Sequence, residues 1–133
     1  AASLIWLLRG DAGQRAVAAQ AMGWAPAQQV SGVDWMAPHL ATLLDDPYDA
    51  VRFIAERSLR TVPGFSALQY DFVAPQKERY QAQLRTMTTW DRSRSKPGRT
   101  DPHLLMNSQG NINVEGVLRL LKERNNRRVL LRE

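Results

Sequence analysis

Three carboxylates crowd one turn of this chain, Asp45, Asp46 and Asp49, and His39 and His103 are its only histidines. Clustered carboxylates can hold a cation or share general acid and base work. A calcium loop would add a glycine bend and a distal glutamate, and neither is present around these acids. A zinc centre needs more nitrogen or sulfur ligands than two separated histidines supply, and the chain has no cysteine. The acids read instead as helix starters, because carboxylates favour the positive end of a helix dipole. The histidines read as surface or capping residues. Gly10 and Gly13 flank Asp11 without the Lys-Ser/Thr of a phosphate loop, and Ser58, Ser66 and Ser93 stand in no nucleophile elbow. The expectation is a chain that is not an enzyme and needs no cofactor or metal.

The elements that carry these residues are helical by pattern. An apolar run from Ala2 to Leu8 stops at Gly10, and Asp11 with Gln14 forms a capping-box signature for a second helix reaching about Met22. Val17, Ala18, Ala21 and Met22 share one face of it, and Gly23 offers a left-handed stop. Trp24 to Gly32, with Pro26, reads as a loop. Asp34 is placed to cap a third helix, Trp35 to Leu44, with Met36, Leu40, Leu43 and Leu44 at helical spacing. Asp46-Pro47 then restarts the chain as N-cap and first helical residue. That fourth helix buries Val51, Ile54, Ala55, Leu59 and Val62 and ends at Pro63-Gly64. Phe65 to Val73 is irregular. Pro75 opens a fifth helix to about Trp90, with a stripe of Tyr80, Leu84, Met87 and Trp90.

The last third changes character. Residues 1–90 balance eight Lys/Arg with eight Asp/Glu, whereas residues 91–133 hold ten against five, so the whole net charge of +5 resides there. Asp91 to Pro102 is a basic, turn-rich linker. Leu104-Leu105-Met106 reads as a strand, Val114 to Arg124 as a helix capped by Asn113, and Val129-Leu130-Leu131 as a second strand. An isolated strand pair is marginal in water, so this tail is expected to pack on the helices. Residues 1–90 thus form helical repeats with a capping helix, and residues 91–133 a basic linker with a small α/β tail. No apolar run approaches the roughly 20 residues of a membrane span. The apolar start lacks the basic n-region of a signal peptide and reads as a helix that begins upstream.

Leu43-Leu44, Asp46-Pro47, Val51-Arg52, Ala55 and Leu59 make a helix, an acidic turn and a second helix. Leu7-Leu8, Asp11, Arg15, Ala18 and Met22 form a fainter copy. Aligning Arg15 with Arg52 sets the copies about 37 residues apart, within the range of helical-hairpin repeats. The pattern resembles a HEAT repeat and covers about residues 1–62. The resemblance implies a mainly α fold, an α-α superhelix of such hairpins, here with a small C-terminal strand-helix-strand appendage. It also implies structural pairings of Asp46 or Asp49 with Arg52 and of Asp11 with Arg15. The wider context, from Gly-Asp-Ala-Gly-Gln-Arg to Arg-Ser-Leu-Arg-Thr-Val-Pro-Gly-Phe, is similar to C-terminal HEAT regions of some large bacterial multidomain proteins, some of which carry multihaem cytochrome modules. No Cys-x-x-Cys-His attachment site exists here, so haem would belong to other parts of such a protein.

Two partner readings follow. In the first the chain is a non-catalytic scaffold that binds a protein or upstream domains of its own polypeptide, with Trp24 and Trp35 as a contact ridge beside the inter-repeat loop. Core packing is the default for the four tryptophans. In the second, Arg92, Arg94, Lys96 and Arg99 with Arg119, Lys122, Arg124, Arg127 and Arg128 track a nucleic-acid backbone. Some HEAT-like proteins, alkylpurine DNA glycosylases among them, bind DNA along a basic face and pair aromatic residues with a catalytic acid. Asp34 beside Trp35 matches that pattern formally, but its N-cap position already accounts for it.

Overall fold

The computed structural model describes residues 2–94, 101–124 and 126. Among them are seven α-helices and no strand: α1 (Ala2–Arg9), α2 (Ala12–Met22), α3 (Ala25–Ser31), α4 (Met36–Thr42), α5 (Asp49–Arg60), α6 (Gln76–Ser93) and α7 (Val114–Lys122). Short 3-10 turns extend α4 over Leu43–Asp45 and precede α7 at Pro102–Leu104.

The capping box forms as its residues dictate. Gln14 donates its backbone N–H to Asp11 Oδ1 at 2.8 Å, and Asp11 N–H donates to Gln14 Oε1 at 3.0 Å. The buried face of α2 differs from the one expected. Ala12, Ala16, Ala18, Ala19 and Met22 point inward, while Val17 and Ala21 face outward. A face of alanines lets both α1 and α5 approach closely, and both pack on α2. Gly23 is right-handed (φ −86°), so a left-handed stop is not its reason. A Cβ there would lie 2.6 Å from Ser58 Oγ and 3.0 Å from Ser58 Cα. Glycine is required by the approach of α5.

The expected loop after it is helix α3. Pro26 sits in its first turn, where a missing N–H costs nothing, and Gly32 ends it at φ 77°. This helix buries no residue of its own and is tied down by Gln28, whose Nε2 donates to Met22 O and Thr61 Oγ1, both at 2.8 Å.

Helix α4 is the centre of the molecule, buried along its whole length and packed by α5 on one side and α6 on another. Its N-cap is Trp35 without a side-chain cap, so Asp34 is not the capping acid; the Asp34 carbonyl instead accepts Trp90 Nε1–H at 2.7 Å. The restart after α4 is corrected too. Helix α5 begins at Asp49 with Tyr48 as N-cap, and Asp46 lies inside the core. The stripe of α5 holds at Val51, Ala55, Leu59 and Val62, all buried, while Ile54 is only partly buried and turns toward the outer surface.

Helix α6 seats Ala82, Thr86 and Trp90 against α4, whereas Tyr80 and Leu84 of the expected stripe are about half exposed. The tail is stitched into the same core through Leu104, Met106 and Val117, and α7 packs on α1. The strand expected at Leu104-Leu105-Met106 is a 3-10 turn followed by isolated bridges, Asp101 to Met106 and Met106 to Ile112. Leu105, at φ 54°, breaks the extended run. The second expected strand, Val129 to Leu131, lies outside the described residues.

Candidate functional site

The acidic turn that opened the sequence is the electrostatic centre of the fold. Asp46 is fully buried and receives the Arg15 fork, Nε to Oδ2 at 2.8 Å and Nη2 to Oδ1 at 3.1 Å. Tyr48 N–H donates to Oδ1 at 3.0 Å, and Arg15 Nη1 donates to Gly10 O at 2.8 Å. The pairing runs between the two hairpins, not within either. The expected partner of Asp46, Arg52, donates instead to the Asp46 and Phe72 carbonyls, both at 2.7 Å. Asp11 caps α2 and Asp49 is exposed in the first turn of α5.

Further cations gather around this pair. Arg124 Nη1 stands 3.7 Å from Asp46 Oδ2, and Arg79 Nε stands 3.5 Å from Asp45 Oδ1. Burial holds the Arg124 guanidinium below its ordinary range, opposed by Asp46. Tyr70 donates its hydroxyl to Leu44 O, and burial keeps that phenol protonated well above the usual range. Both oxygens of Asp46 are engaged, so the acid is set for structure and not for proton transfer. Arg15 was missed as a core residue in the sequence. The readable signal is an arginine set in an alanine face, between Ala12, Ala16 and Ala19.

His39 corrects the surface reading. It is 1% exposed, its Nε2 bonds Leu104 O at 2.8 Å, and burial depresses its pKa to about 4. His103 is exposed. No group of three or more His, Asp or Glu side chains suited to a metal occurs among the described residues.

The tryptophan pair divides. Trp24 is 63% exposed, but Trp35 is 4% exposed and donates Nε1–H to Ser31 O at 3.2 Å, so it is core and not contact ridge. Trp24 borders two clefts. One, of about 680 Å³, runs between α2 and α5 along Val17, Ala21, Ile54 and Arg57. The other, of about 420 Å³, lies beneath α3 against Pro26, Val30 and Met36. Val17 and Val30 are themselves largely exposed beside it.

The basic candidates also divide. Arg92, Arg119 and Lys122 are exposed. Arg94 is held: it forks onto Asp91 Oδ1 at 3.0 and 2.8 Å, donates to Gly110 O and Asn111 Oδ1, and covers the Trp90 ring. Its role is to pin the end of α6 to the turn before α7. Lys96, Arg99, Arg127 and Arg128 lie outside the described residues. No described helix is long and apolar enough to cross a membrane. No protein-family model, no curated protein and no solved structure matches this chain.

Proposed function

We propose that the chain is a non-catalytic, HEAT-like helical-repeat scaffold, a section of α-α superhelix that docks a protein partner or another domain of its own polypeptide. The observation that carries this reading is the division of labour around α2, α3 and α5. The charged residues Arg15, Asp46 and Arg52 turn inward and brace the hairpins, while Trp24, Val17 and Val30 stand exposed on the outer surface. Exposed aromatic residues beside a cleft are the usual anchors of protein interfaces. Trp24 is therefore the assigned contact residue. The test compares proteins cross-linked to the wild-type chain and to Trp24→Ala from the same source. Loss of specific capture, at unchanged melting temperature, supports the reading; identical capture removes Trp24 from it.

A second reading uses the basic last third as a nucleic-acid surface, and the charge asymmetry of residues 91–133 favours it. Because Leu104, Met106 and Val117 belong to the shared core, deletion of this region is a poor test. Neutralising Arg92, Arg119 and Lys122 together leaves the core intact. Binding to duplex or single-stranded DNA or RNA that weakens steeply with salt, and is lost on neutralisation, supports this reading. No retardation at low salt ends it.

A further inference from the structure

A cleft of about 580 Å³ opens between α6 and α7 over α4. Leu84, Met87 and Trp90 line it from α6, and Val117, Leu118 and Leu121 from α7. Concave apolar clefts of a few hundred Å³ with a few placed polar groups are the usual form of small-molecule sites. Most polar groups in this lining are already used. Thr42 Oγ1 donates to Pro38 O at 3.1 Å, and Trp90 Nε1–H is spent on Asp34 O. Asp91 and Arg94, the charged residues of the lining among those described, pair with each other at 2.8 Å. Arg94 also donates to Gly110 O and Asn111 Oδ1. Tyr80 and Asn111 are exposed at the rim.

His39 is the exception. Its Nε2 meets the Leu104 carbonyl at 2.8 Å, and a carbonyl only accepts, so the ring proton sits on Nε2. Nδ1 is then a bare acceptor, and no hydrogen bond reaches it. The residue keeps 1% of its surface, and Nδ1 is not one of the fully buried side-chain atoms without a partner, which are Asp45 Oδ1, Arg79 Nε and Arg124 Nε. That last patch of surface therefore lies at Nδ1, and the cleft is the space that His39 borders. Burial holds the ring neutral at neutral pH, so the nitrogen keeps its lone pair. These surroundings select an occupant. A charged one would lose its water with no free counter-charge to meet it. A purely apolar one would cover Nδ1 and leave it unpaired. A neutral hydroxyl satisfies the nitrogen, and an aromatic body suits the Trp90 ring and the Met87 thioether. We propose that the cleft between α6 and α7 binds a small, neutral aromatic molecule whose single hydroxyl donates to His39 Nδ1. This inference does not depend on the scaffold reading.

The test is titration of the full chain with 4-ethylphenol at pH 7.5, following the imidazole nitrogens of both histidines by nitrogen NMR. A saturable upfield move of His39 Nδ1 is expected, with the exposed His103 unmoved. 4-Ethylanisole, which carries a methyl group in place of the hydroxyl proton, is expected to bind at least about tenfold more weakly. Leu118 is 58% exposed at the lip of the cleft, so Leu118→Glu spares the core; it is expected to lose about tenfold or more in affinity for 4-ethylphenol. Val30→Glu, beside the separate cleft under α3, is expected to match the wild type. No saturable response to 4-ethylphenol, or equal binding of the two probes with Nδ1 unmoved, overturns the proposal, and neither readout needs a variant. A concentration-dependent dimer that Leu118→Glu abolishes and 4-ethylphenol leaves intact also overturns it, and assigns the cleft to a second copy of the chain.

Discussion

Arg15 of the first hairpin and Asp46 of the second form a two-pronged ion pair with both side chains fully buried, 31 positions apart in the chain. Breaking such a pair strands a charge in the core at a cost of about 3–5 kcal/mol, whereas replacing both partners by apolar groups is far milder. Asp46→Asn is therefore expected to lose stability on that scale in urea unfolding. The double change Arg15→Met with Asp46→Leu is expected to recover most of it. Equal losses in the single and double variants would show that the pair is not the source.

Gly23 meets Ser58 where α2 and α5 touch, and Ser58 Oγ donates to Ala19 O at 2.5 Å. Gly23→Ala overpacks that contact and is expected to cost about 1–3 kcal/mol. Ser58→Ala alone removes one hydrogen bond. Combined with Gly23→Ala it relieves part of the clash, so the two changes sum to less than their separate effects. Strict additivity in a double-mutant cycle would contradict the contact.

His39 sets a pH dependence. Burial lowers its pKa from 6.5 to about 4, with the bond to Leu104 O opposing the shift. Between those values the unfolded chain takes up a proton that the folded chain refuses. Its contribution is complete above pH 6.5 and is lost as pH falls toward 4, by on the order of 3 kcal/mol. His39→Gln is expected to be less stable at pH 7.5 but to show a flatter profile between pH 4 and 6.5. An unchanged slope there would falsify the assignment.

The two tryptophans predict opposite outcomes for the same substitution. Trp35→Ala empties part of the core and is expected to cost about 3–5 kcal/mol. Trp24→Ala removes an exposed ring and is expected to stay within about 0.5 kcal/mol of the wild type. Thermal melting followed by circular dichroism separates them.

Much of the helical framework was legible because periodicity and caps are local. The stripe of α5, the Asp11–Gln14 box and the Asn113 cap, whose Oδ1 accepts Gly116 N–H, follow from a few adjacent residues. The errors came where a residue's role is set by something distant. Gly23 is fixed by Ser58, Asp46 by Arg15 and His39 by Leu104 O, and no local pattern carries those partners. Helix α3 was hidden by reading Pro26 as a breaker when it stands in a first turn. The outer ion pairs of the acidic turn escaped for the same reason: Arg79 reaches Asp45 and Arg124 reaches Asp46 from separate parts of the chain.

The reach of Arg15 has a consequence for how the molecule comes apart. In linear repeat arrays each unit opens with its own free energy plus a term for its neighbours, so ends fray before middles. Here α2 cannot loosen from α5 without exposing an ion pair whose halves belong to different hairpins. Amide hydrogens of the two helices should then exchange through one common opening event. The outer surface around Trp24 would then be kept or lost as a whole, never one helix at a time.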